Sequence, residues 1–134
     1  WPRFNQGADV VIGSRSLPNS DVKVHQHILR EKMGRTFNLF VKAFLAEPFI
    51  DTQCGFKGFT ARATEICFQR QRLERFSFDA ELLHIARKQG LRIDEVPVRW
   101  CNVRDSRVKI FTDSPQMVWD LVRVRLNSLL GKYR

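Results

Sequence analysis

Four short stretches of the sequence carry side chains whose types and spacing could do chemistry. Gly13-Ser14-Arg15 follows directly on the apolar run Ala8-Asp9-Val10-Val11-Ile12. Ligand sites in α/β proteins gather where strands end, and an arginine there can fork onto two phosphate oxygens. An ordinary surface arginine is the competing reading. Arg30 and Gly34 stand four residues apart in Arg30-Glu31-Lys32-Met33-Gly34-Arg35, which puts both on one face of a helix. Glycine inside a helix costs about 1 kcal/mol relative to alanine, so its presence points to close approach by a backbone or a ligand. Helix packing beside a solvated arginine is the alternative. Asp51-Thr52-Gln53-Cys54-Gly55 is polar and turn-like; Asp51 and Gln53 there could orient hydroxyls or touch a metal-bound phosphate, or simply make a turn. The fourth stretch, Phe76-Ser77-Phe78-Asp79-Ala80-Glu81, opens a helix on acidic residues. Asp79 is either a plain N-cap complementing the helix dipole or a chemical group. Glu81, two residues on, projects from a different helix face, so the two do not read as a unit.

These side chains need elements to position them. Residues 8–13 form a β-branched run ended by glycine and predict a buried strand. Leu17-Pro18-Asn19-Ser20-Asp21 is loop chemistry. Apolar residues recur at helical spacing from His27 to Leu45, and Pro48 stops that helix. Residues 56–60 predict a strand, and Thr60 caps a helix over 61–70. A further helix runs from about Asp79 to Gly90, with Leu82, Leu83, Ile85 and Ala86 facing inward. Residues 91–100 predict a strand in which Pro97 marks an edge or bulge. Residues 101–113 are basic and irregular. Ser114-Pro115 then starts a helix that reaches Leu130 and closes at Gly131. Strands interspersed with helices define an α/β class. The pattern opens on a strand without earlier βα units and without an initiator Met, as an excised or processed piece would.

Composition narrows the partners. The chain has 134 residues, 43% hydrophobic and 28% charged, which fits one domain and excludes collagen-like and disordered classes. No run approaches the ~20 apolar residues of a membrane span, and no signal peptide opens the chain. Lys and Arg total 23 against 14 Asp and Glu, giving +9. Such an excess implies polyanionic company: nucleic acid, an acidic membrane surface or phosphorylated substrates. The basic residues are dispersed, so solvated faces account for most of them. Three cysteines without a CxxC, and His25-x-His27 with a lone His84, make neither a disulfide framework nor a zinc site; a reducing cytosol fits better.

Taken in order, the motifs resemble the C-terminal part of family 2 glycosyltransferases, in particular the dolichyl- or polyprenyl-phosphate hexosyltransferases. The matching stretches are Val11-Ile12-Gly13-Ser14-Arg15, Arg30 to Asn38, Asp51 to Phe59, Phe78 to Leu83, Glu95-Val96-Pro97-Val98 and Ser106-Arg107-Val108. The spelling Asp51-Thr52-Gln53-Cys54-Gly55-Phe56-Lys57 is similar to the dolichyl-phosphate glucosyltransferase branch more than to the mannosyl branch. The resemblance implies the C-terminal half of a GT-A (nucleotide-diphospho-sugar transferase) fold, three-layered with a mixed sheet. Residues 1–134 would be one partial domain, the acceptor-side half. The nucleotide-binding part and its D-x-D metal motif are expected to lie before Trp1, leaving this piece alone inactive or nearly so. A magnesium or manganese ion would be held mainly by that other half.

The implied reaction is inverting transfer of a hexose from a UDP- or GDP-sugar to a polyprenyl phosphate. A phosphate acceptor, with a second pKa near ~6, is already largely ionised at neutral pH. It needs a cationic cradle more than a strong base. The resemblance puts Arg15 and Arg30 on the acceptor phosphate, with Gly34 where relatives often have Ser. It makes Asp51, then Asp79, the group that aligns the acceptor or acts as base. Gln53 would support the metal–diphosphate side, and Ser106, Arg107 and Lys109 would form a flap over the leaving diphosphate. The lipid tail implies a peripheral place on an anionic membrane at its cytosolic face, with the C-terminal helix either packed or interfacial. The rivals are a basic nucleic-acid-binding module, for which no stacking or helix-turn-helix motif is present, and a non-catalytic glycosyltransferase remnant.

Overall fold

A computed structural model describes residues 2–24, 28–46, 48–74, 77–101 and 110–134, with the backbone alone for residues 24, 28–31 and 110–114. The elements in chain order are α1 (Pro2–Asn5), β1 (Val10–Ser14), β2 (Asp21–Val24), α2 (Ile28–Leu45), β3 (Lys57–Phe59), α3 (Ala61–Arg70), α4 (Phe78–Lys88), β4 (Ile93–Pro97), β5 (Arg99–Cys101) and α5 (Ile110–Leu129). The architecture is mixed α/β, as the sequence pattern requires.

β1 is the centre of a three-stranded mixed sheet, antiparallel to β3 and parallel to β4. All five of its residues are buried, which is why it reads as an unbroken apolar run instead of an alternating one. Val10 and Ile12 pack into a core with Phe37, Val41 and Leu45 of α2, Leu82, Leu83, Ile85 and Ala86 of α4, and Leu121 and Val124 of α5. The inward face expected of α4 is thus the face it buries. Thr60 caps α3, its Oγ1 accepting from Ala63 N at 3.2 Å.

Four features differ from the sequence expectation. The strand expected over 91–100 is two strands, broken at Val98, with Pro97 the exposed last residue of β4. β2, not anticipated beyond the loop at 17–21, runs parallel to β5 as a second small sheet. Ser20 Oγ links the two sheets by donating to Ser14 O and accepting from Val98 N at 3.3 Å. α5 begins at Ile110, so Ser114 is not its cap and Pro115 lies inside it. A proline that near the start removes one interior hydrogen bond and leaves the long packed stretch beyond it intact. α4 is capped at Ser77, not Asp79, and that cap makes no side-chain hydrogen bond.

The glycines at 13 and 34 play opposite parts. A Cβ on Gly13 would stand 2.6 Å from Val98 Cγ1 and 3.2 Å from Phe56 Cβ, while one on Gly34 would meet nothing within 4 Å. The close backbone approach expected at Gly34 is therefore absent among the described residues; it belongs to Gly13. Gly13→Ala should lower stability by about 1–3 kcal/mol through overpacking. Gly34→Ala should raise it by up to about 1 kcal/mol. Urea unfolding midpoints of the two variants should move in opposite directions.

Candidate active site

The site is built around the turn between α2 and β3, whose polar backbone is held by side chains from three elements. From β4, the Glu95 carboxylate accepts Ile50 N–H at 3.1 Å on either oxygen and Asp51 N–H at 2.9 Å. From α2, Asn38 Oδ1 accepts from Thr52 Oγ1 at 2.9 Å and Thr52 N at 3.4 Å, and Asn38 Nδ2 donates to Ile50 O. On the β3 side, the buried Lys57 ammonium donates to Cys54 O at 2.6 Å and pairs with Asp79 at 2.9 Å.

At the carboxyl end of β1, Arg15 reaches this turn. Its guanidinium donates from Nε to Asp51 Oδ2 at 2.7 Å and from Nη2 to Asp51 Oδ1 at 2.9 Å. The Arg15 backbone N–H adds a bond to Oδ2 at 3.1 Å, and Gln53 N–H one to Oδ1 at 3.2 Å. Asp51 is only 6% exposed. Burial, the largest single influence, raises its pKa, but the Arg15 hydrogen bonds and charge with the two backbone donors outweigh it and leave the carboxyl below its ordinary value. Hydrogen bonding to Asp51 likewise lifts Arg15 further above its ordinary value. The guanidinium also lies 5.4 Å from the Trp100 ring centroid, within cation–π range.

Ser14, Gln53 and Trp100 adjoin this pair, by sequence, by a backbone hydrogen bond and by ring contact respectively. Ser14 Oγ, Gln53 Nε2 and Trp100 Nε1 are buried and take no hydrogen bond among the described residues. Arg15 Nη1 makes none there either. Buried donors without partners are costly. Two N–H groups, of Gln53 and Trp100, and the Ser14 hydroxyl are donors of the kind that hold an anion's oxygens beside a guanidinium.

The structure thus brings Arg15, Asp51 and Gln53 together, with Asp79 tied to the same turn through Lys57. Arg15 and Asp51, read separately from sequence, are bonded to each other. Gly34 lies exposed on α2. Arg30 falls in α2 with its side chain outside the described atoms, and Ser106, Arg107 and Lys109 lie outside the described residues. Sequence reasoning missed Glu95, Asn38, Lys57 and Trp100 as site residues. The available signals were the adjacent acidic residues Asp94 and Glu95 inside a strand and an asparagine, a poor helix former, beside Phe37. Among the described residues no three Asp, Glu, His or Cys side chains gather as a metal site requires, so none is assigned to a divalent ion.

Comparison with known proteins shows what the chain is similar to. The chain is 38% identical over 126 residues to a dolichyl-phosphate beta-glucosyltransferase of Dictyostelium discoideum, covering 93% of this chain and 38% of the relative. It is 35% identical over 126 residues to the enzyme of that name from Saccharomyces cerevisiae, with the same two coverages. It is 34% identical over all 134 residues to the one from Homo sapiens, of which it covers 40%. No family model and no solved structure matches. The sequence thus resembles glycosyltransferases, and among them the dolichyl-phosphate beta-glucosyltransferases, the branch whose spelling Asp51–Lys57 shares; it spans about 38–40% of the length of these relatives.

Proposed function

We propose that this chain forms the acceptor side of an enzyme that transfers a hexose, glucose by its relatives' names, from a UDP- or GDP-sugar to dolichyl or another polyprenyl phosphate with inversion. The observation that carries the reading is the Arg15–Asp51 fork at the end of β1, with Gln53 and Trp100, whose side-chain N–H groups have no partner among the described residues, in contact with it. The acceptor phosphate supplies its own ionised nucleophile. Arg15, through Nη1 and its charge, holds that oxygen in line with the anomeric carbon. Asp51 orients Arg15 and is not the base, because a carboxylate with four N–H donors and a lowered pKa is a poor proton acceptor. Asp79 does the same for Lys57. Arg30 and Gly34 complete the phosphate contact from α2, and Ser106, Arg107 and Lys109 cover the leaving diphosphate.

A magnesium or manganese ion is part of the chemistry of this class; the described residues do not fit one, and no step here runs through it. The sequence contains no D-x-D, so these residues alone should bind the acceptor without turning over sugar. The reading also places the protein peripherally on the cytosolic face of a membrane. Its support is the exposed Trp119 and Leu126, which share a line along α5, and Leu130 just past its end, with Arg123 and Arg125 exposed nearby. Among the described residues no helix is long and apolar enough to cross a membrane.

The test is binding of a short polyprenyl phosphate against the same polyprenol without phosphate. The phosphate should bind more tightly, and Arg15→Ala should abolish the difference. Equal binding of both lipids, or tighter and steeply salt-dependent binding to DNA or RNA, would overturn the reading.

A further inference from the structure

We infer that Glu95 and Asn38 are positioning residues that set the orientation of the Arg15 guanidinium through the turn at 50–52. The consequence for an acceptor rests on the proposed function; the geometry does not. Three successive amides, those of Ile50, Asp51 and Thr52, give their N–H groups to two side chains from two different elements. Asn38 also takes the Thr52 hydroxyl and bonds the Ile50 carbonyl, so the turn is gripped on both sides.

This grip governs Asp51. Fixing the amides on either side of its Cα fixes the direction of its Cα–Cβ bond. The carboxylate plane then dictates the plane of the bidentate guanidinium. Glu95 is well placed to do so because it stands opposite Ile12 in the parallel β1–β4 pair, three residues before Arg15. The arginine and its remote anchor therefore ride on the same two hydrogen-bonded strands, and the path from one to the other closes on itself: β4, turn, Asp51, Arg15, β1. A closed loop of this kind holds a functional side chain to a fraction of an ångström, which is what second-layer support has to provide. Asn38 adds a tie to α2, the helix that carries Arg30 two turns earlier.

The experiment reads Arg15 itself. In ¹⁵N-labelled protein the Arg15 Nε–H resonance is assigned by its loss in Arg15→Lys, and its hydrogen exchange is measured in Glu95→Ala, Glu95→Gln and Asn38→Ala. Thr60→Ala, which loses the α3 cap far from the turn, controls for general destabilisation. Exchange should quicken on the order of tenfold in Glu95→Ala, less in Glu95→Gln, which keeps one acceptor oxygen, and not at all in Thr60→Ala. Equal exchange in the Glu95 and Thr60 variants would overturn the inference. Should Glu95→Ala fail to fold, Glu95→Gln and Asn38→Ala decide it by the same comparison. Faster exchange with unchanged affinity for a short polyprenyl phosphate would leave the positioning role standing and count against the acceptor reading alone.

Discussion

If the proposed function holds, replacing Arg15 by alanine should lower hexose transfer to a polyprenyl phosphate by the natural protein by about 10²–10³-fold, the usual cost of removing one preorganised donor to a reacting anion. Arg15→Lys recovers little of it, because an ammonium cannot match the bidentate fork on Asp51. The alanine variant also strands the Asp51 carboxylate, whose side chain is 8% exposed, with only backbone donors. Part of the loss is therefore structural, and a second substitution separates the parts. Arg15→Ala combined with Asp51→Asn removes the stranded charge, so stability should return while transfer stays low. If transfer returns as well, the arginine is only a brace. A lowered carboxyl pKa also fixes the pH signature. The stability contributed by the Asp51–Arg15 pair is complete above the ordinary carboxyl value and is lost as pH falls through the lowered one. Transfer should accordingly show no acidic limb near neutrality from Asp51. A limb between pH 5 and 7 that vanishes in Asp51→Asn would restore Asp51 as a base.

Much of this site was legible because its parts sit where local sequence rules are strict. The buried apolar run at β1, the helical spacing through α2 and the Thr60 cap each obey short-range rules and each stands in the structure, although β1 continues through Gly13 to Ser14 instead of ending at the glycine. What could not be read is who pairs with whom across the chain. Arg15 and Asp51 are 36 residues apart, Glu95 and Asp51 44 apart, so their bonds are decided by strand pairing and not by neighbours. The same limit made Asp79 resemble a cap. It has the right residue type in the right turn, yet Lys57 from another element claims it. The missed strand β2 has a different cause. It is four residues long and pairs with only three of β5, too short to leave a periodic pattern.

The residue set apart from Asp79 by its helix face carries the second large prediction. Glu81 is fully buried, and its carboxylate accepts Arg72 N–H at 3.1 Å, Leu73 N–H at 2.8 Å and the Tyr133 hydroxyl at 2.6 Å. One side chain of α4 thus secures both the segment after α3 and the C-terminal residues. Glu81→Ala should cost about 3–5 kcal/mol, since it leaves buried donors unanswered, a large share of a typical domain's ~5–15 kcal/mol. Tyr133→Phe should cost less, about 1–2 kcal/mol, because the carboxylate keeps its two amides. The pair also predicts an alkaline signature. Burial first, then the Glu81 hydrogen bond and charge, push the Tyr133 hydroxyl well above its ordinary 10.0. For an acid whose folded pKa is raised, stability is complete below the unfolded value and falls as pH climbs past it. Wild type should therefore lose stability above about pH 10 at up to ~1.4 kcal/mol per pH unit more steeply than Tyr133→Phe. Cys54 and Cys67, the latter pushed to about 11 mainly by burial, lose stability in the same direction in both proteins and cancel in the comparison. Parallel stability curves for the two proteins from pH 9 to 11 would show that Tyr133 is not held by Glu81 in solution.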